Sequence, residues 1–166
     1  MKPWDLVKKS DAYKAGLSRF FLDVPSWRKF DPGMTLSWQR VSFGDGTKSD
    51  VPTERGLYLF TLEVDGLGLP SHGYILYFGI TGNKSAANLR KRFAQYLRER
   101  DSEKGRPRVV YMLNKWRDEL MFNFVPLPDT TIDLSKIEKS FLNSVMPPVN
   151  SADFDAEIAA PIKASM

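Results

Sequence analysis

The chain has 166 residues, with 42% hydrophobic, 13% aromatic and 27% charged side chains. That is the length of one domain with the proportions of a globular fold. There is no cysteine and a single histidine, His72, which excludes disulfides, thiolate nucleophiles, Cys/His zinc sites and any Ser-His-Asp triad not built on His72. The net charge is +4. No apolar run approaches the roughly 18 residues of a membrane span, and the basic start lacks the apolar stretch of a signal peptide. A cytoplasmic protein, neither secreted nor membrane-bound, is expected.

Residues 3–23 carry a loose helical spacing of Leu6, Val7, Ala12, Tyr13, Leu17 and Phe20, broken by Gly16. Pro25, Pro32 and Gly33 mark a loop over residues 24–35. Residues 36–43 alternate as a short strand. Residues 57–64 and 74–81, rich in aromatic and β-branched side chains, predict two strong strands. The intervening residues 65–73 are too short for a parallel crossover, so the two strands pair antiparallel as a long-looped hairpin. Residues 86–101 predict a helix with Leu89, Phe93 and Leu97 inward, and residues 109–119 a second one. Residues 120–127 read as a further strand, stopped by Pro126 and Pro128. Residues 134–145 read as a helix ended by Pro147-Pro148. The tail after Asn150 reads as a weak helix or a docked arm.

The charge is concentrated. Residues 89–108 hold eight bases against three acids, and the rest of the chain is nearly neutral. Such a segment attracts phosphate, and it also suits a solvated helix face.

Gly56-Leu57-Tyr58 opens one strand, Tyr77-Phe78-Gly79 closes its partner, and a helix with Leu89-Arg90-Lys91-Arg92-Phe93 follows. Later come a helix bearing Glu138 and then Pro147-Pro148-Val149-Asn150. As an ordered set these resemble the GIY-YIG nuclease family over about residues 55–150. The resemblance implies an α/β fold of the α+β type, a small three-stranded antiparallel sheet flanked by helices. It divides the chain into an N-terminal extension (1–54) packed on the core, a nuclease domain (55–150) and a tail (151–166). It implies a metal-dependent DNA endonuclease leaving 5′-phosphate and 3′-hydroxyl ends, cytoplasmic or nucleoid-associated. Tyr58, Tyr77, Arg92, Tyr96 and Glu138 would be catalytic. Glu138 would hold Mg²⁺ or Mn²⁺, Tyr58 would be the base, and Asn150 would follow the proline pair in the nucleic-acid-binding set.

The residues suit that chemistry. A carboxylate is a hard ligand for Mg²⁺, and a guanidinium offers a fork of donors to phosphate. Arg92 and Tyr96 share a helix face if Phe93 points inward. Lys84, Arg90, Lys91 and Arg98 would grip DNA. Ile80 stands where many members carry lysine, and Lys84 is the candidate to replace it. A tyrosine base needs neighbouring positive charge, its ordinary pKa being about 10.

Each residue also fits a structural role. Tyr58 and Tyr77 suit a half-buried sheet, and Arg92 a solvated helix. Ser135-x-x-Glu138 fits a capping box, Asn150 a turn, and His72 a surface loop. The alternatives to an enzyme are a nucleic-acid-binding module without turnover and a protein-interaction subunit. Specificity would come from residues 1–54, where Trp4, Trp27 and Trp38 suit either base stacking or a core, from a homodimer or from a partner protein.

Overall fold

The structure is a computed structural model, described here for residues 6–11, 20, 22–66 and 68–150. Residues 6–11 are helical. The remainder of the helix expected over 3–23 up to residue 19, Trp4, and the tail 151–166 lie outside the described residues.

The sheet has four strands: β1 (Gln39–Ser42), β2 (Gly56–Val64), β3 (His72–Thr81) and β4 (Leu120–Pro126). All neighbours are antiparallel, in the order β1-β4-β2-β3. This corrects the three-stranded sheet expected from the sequence. Without β1, β4 would present an unpaired row of backbone groups; β1 covers that edge, with Val41 opposite Phe122. The hairpin of β2 and β3 forms as expected. β3 begins at His72, two residues earlier than its apolar pattern suggests.

Among the described residues, besides the helical residues 6–11, the α-helices beside the sheet are α1 (Val24–Trp27), α2 (Leu89–Ser102), α3 (Pro107–Lys115) and α4 (Leu134–Val145). Period-two alternation on the strands divides them between two faces. Tyr58, Phe60, Leu62, Phe122 and Phe124 pack against α2 and α3 through Phe93, Tyr96, Leu97, Met112 and Leu113. Leu57, Leu59, Phe78 and Val125 pack against α4 through Leu134, Ile137, Phe141 and Leu142. Phe93 is fully buried, so the register expected for α2 holds.

Local chemistry sets the helix ends. The Asn88 side chain accepts from the Lys91 N–H and starts α2 three residues later than its sequence pattern suggests. Pro107 sits in the first turn of α3, where its missing N–H costs nothing. That helix therefore starts earlier than expected and stops at Lys115, because the chain must turn over Trp116–Glu119 into β4. At α4 the capping box anticipated from Ser135 and Glu138 does not form. Asp133 is the cap and accepts from the Ser135 N–H and Oγ, which removes capping as an explanation for Glu138.

β3 is one of the two outer strands, and Asn150 closes part of its open edge. The Phe78 N–H donates to Asn150 Oδ1 at 2.8 Å, and Asn150 Nδ2 donates to the Phe78 carbonyl at 2.9 Å. The side-chain amide thus pairs with the backbone as another strand would.

Candidate active site

β2 and β3 place Tyr58 and Tyr77 on the face covered by α2. Tyr58 lies opposite Gly79, and a Cβ at that glycine would fall 2.4 Å from Tyr58 Oη. The second glycine of the motif set is thus the floor over which the first tyrosine lies. On α2, the buried Tyr96 brings its hydroxyl 2.9 Å from Tyr58 Oη. From the turn before α3, Arg106 Nη2 donates to Tyr77 Oη at 2.9 Å and to Tyr96 Oη at 3.2 Å. The Arg106 guanidinium carbon is also 5.1 Å from the centre of the Tyr77 ring. Three hydroxyls from two strands and a helix thereby form one network, in which Arg106 joins Tyr77 to Tyr96 and Tyr96 joins Tyr58.

This cluster forms one wall of a cleft of about 360 Å³. Tyr77 and Arg106 face Ser135, Glu138, Lys139 and Asn143 of α4 across it. The cleft lies beside β3, between the turn before α3 on one side and α4 on the other. Glu138 is half-buried there.

The expected site residues fall into three groups. Tyr77 and Glu138 line the cleft itself. Tyr58 (2% exposed) and Tyr96 (0%) sit behind it, sealed from solvent. Arg92 lies off it, in a basic groove along α2 with Lys91 and Arg98, and its Nη1 donates to Gln95 Oε1 at 2.7 Å. The Arg92 charge still acts on Tyr58. Burial pushes the Tyr58 phenol well above the usual tyrosine range, the Tyr77 oxygen adds to that, and Arg92 and Arg106 oppose it without prevailing. Burial also raises Tyr96, with the neighbouring phenols of Tyr58 and Tyr77 acting in the same direction.

The expected nucleic-acid contacts differ in the same way. Lys84, Lys91 and Arg98 are exposed. Arg90 donates to the carbonyls of Val51 and Ser49, tying α2 to the preceding loop. Asn150 is 1% exposed and engaged by the β3 backbone. Trp27 packs against the α4 core and donates from Nε1 to the Val145 carbonyl. His72 is exposed, as expected.

Two residues escaped the sequence reading. Arg106 was visible only as one base in a basic segment; its signal was Gly105-Arg106-Pro107, a glycine–proline bracket that turns the chain back on itself. Arg55 had no signal. Its guanidinium donates to the carbonyls of Gly82, Leu127, Asp129 and Ile132 and to Asn83 Oδ1. Asn83 Oδ1 in turn accepts from the Leu134 N–H, so Arg55 anchors the start of the helix that carries Glu138.

Among the described residues no group of three or more His, Cys, Asp or Glu side chains could hold a metal ion. A single carboxylate at a cleft still suits Mg²⁺, which keeps several waters and takes one or two carboxylates together with substrate phosphates. No described helix is long and apolar enough to cross a membrane. Comparison with family models, with curated proteins and with solved structures returns no match.

Proposed function

We propose that the chain is a metal-dependent DNA endonuclease of the GIY-YIG kind, hydrolysing phosphodiester bonds to leave 5′-phosphate and 3′-hydroxyl ends. The observation that carries this reading is the meeting of Tyr77, Arg106 and Glu138 at one cleft, with Tyr58 and Tyr96 joined to them through hydroxyl contacts.

Phosphodiester hydrolysis needs positive charge on the phosphoryl oxygens, an oriented water and help for the leaving oxygen. Both Arg106 bonds to the tyrosines use Nη2, which leaves the rest of the fork to meet a phosphate oxygen. Because the Tyr77 oxygen accepts from Arg106, its own proton is directed elsewhere, and Tyr77 can orient a water in the cleft. Glu138 would hold a divalent cation there, which when bound supplies Lewis-acid charge to the phosphate. Arg92, Lys91 and Arg98 supply phosphate grip along the neighbouring groove, independent of sequence.

The depth of Tyr58 favours a second reading, a nucleic-acid-binding module without turnover. A phenol sealed from solvent and held above its usual pKa is a poor base. Incubating supercoiled plasmid with Mg²⁺ separates the two. Nicking by the wild type, lost by roughly 10²-fold or more in Arg106→Ala and abolished in Glu138→Gln, supports the enzyme. Salt-sensitive DNA binding without any nicking supports the module.

A further inference from the structure

The outer face of α3 carries Arg108, Tyr111 and Lys115 at spacings of three and four, hence along one stripe. Tyr111 is 58% exposed. Lys115 Nζ lies 5.4 Å from the centre of the Tyr111 ring and 4.9 Å from that of Trp116. Together with Leu76, these side chains line a groove of about 520 Å³, within the range of roughly 300–1,000 Å³ of small-molecule sites. Two aromatic rings bracketing a cation, with a second cation at the rim, match an anionic ligand that carries flat rings.

The groove and the catalytic cleft are joined twice. Pairing of β2 with β3 slips between Phe60 and Thr61, leaving Leu76 without a partner. That bulge puts the consecutive residues Leu76 and Tyr77 on the same side of the sheet. Leu76 lines the groove and Tyr77 the cleft. On the other wall, Arg106 belongs to the cleft and Pro107 and Arg108 to the groove.

We infer that this groove receives an unpaired nucleobase, so that the preferred DNA carries a single-stranded or flipped-out nucleotide beside the phosphate held at Arg106. The inference rests on the nuclease reading above and deepens it by naming the substrate class. A strand whose phosphate meets Arg106 is led past Pro107 by Arg108, and the next base, if unpaired, stacks on Tyr111 and Trp116 beside Lys115. A fully paired base keeps its place in the duplex and leaves the groove unused.

Binding in the presence of EDTA tests this without requiring cleavage. Two duplexes are compared by fluorescence anisotropy with the full chain, one fully paired and one with a single unpaired 2-aminopurine. The wild type is expected to bind the unpaired duplex about tenfold more tightly and to quench the 2-aminopurine, the scale of one base–aromatic stack. Tyr111→Ala, at an exposed position, should lose that preference and the quenching while keeping its affinity for the paired duplex. Tyr111→Phe should retain both. Equal affinity for the two duplexes, or an unchanged preference in Tyr111→Ala, overturns the proposal. Preference for the unpaired base in a protein that never nicks DNA upholds the groove and defeats the nuclease reading. Nicking of paired duplexes with no role for Tyr111 does the reverse.

Discussion

Tyr58 combines two opposed demands. Its ring fills the space left by Gly79 and packs on Phe122 in a stacked arrangement, which suits a core residue. Its hydroxyl belongs to the network that ends at Arg106. Burial in that position disfavours the phenolate, with a consequence for alkaline stability. Phenols of the unfolded chain ionise near about pH 10, whereas Tyr58 and Tyr96 stay protonated when folded. Their contribution to stability is therefore full below that pH and lost as pH rises above it. Melting temperature followed from about pH 8 to about pH 11 should fall at the upper end, and the fall should be smaller in Tyr58→Phe. Asn150 makes a different prediction. Replacing it with leucine leaves the buried N–H and carbonyl of Phe78 unpaired, and denaturant unfolding should register a loss of about 2–3 kcal/mol.

At the scale of elements, the site depends on how α4 is set against the edge of β3. Arg55 holds its start through five acceptors in two stretches of chain, residues 82–83 and 127–132. A lysine cannot reproduce that fork, so Arg55→Lys should cost roughly 2 kcal/mol in a denaturant titration and loosen the placement of Glu138. The hairpin, α2 and α4 were legible in the sequence because alternation and four-residue spacing report directly on which face is buried, as Leu57 against Tyr58 and Leu89 against Phe93 illustrate. The partnership of β1 with β4 was not. Residues 36–43 signal a strand, but nothing local names its neighbour. Arg106 was equally hidden. It reaches Tyr96, ten residues earlier, because α2 ends on Glu103 in a left-handed conformation (φ 53°) and Gly105 adopts a φ of 150° against Glu99. That reversal carries no periodicity. The resemblance placed the phosphate-binding arginine on Arg92, whereas the guanidinium beside the tyrosines is that of Arg106.

For the molecule as a whole, the basic excess of residues 89–108 divides into two uses. Arg100 is buried and paired with Asp45 and Asp101, and Arg90 is bound to backbone carbonyls; these hold the fold together. Lys91, Arg98, Lys104, Arg106 and Arg108 face solvent and the half-buried Arg92 lines the groove along α2; on the proposed reading these are the ones that would meet DNA. DNA affinity should therefore fall steeply with salt. The double variant Lys91→Ala/Arg98→Ala should weaken binding alike on all sequences and reduce the slope of log affinity against log salt by about 1 for each residue removed. A titration of anisotropy against salt concentration checks this.

The central claim, that the cleft between β3 and α4 cuts DNA with a metal on Glu138, is tested most directly by plasmid nicking with Mg²⁺ present and then chelated. The account predicts that the wild type nicks supercoiled plasmid, that EDTA stops it, and that a folded Glu138→Gln variant binds DNA as well as the wild type without cutting. Nicking at wild-type rate by Glu138→Gln, or no nicking by a wild type that binds DNA in Mg²⁺, would contradict it.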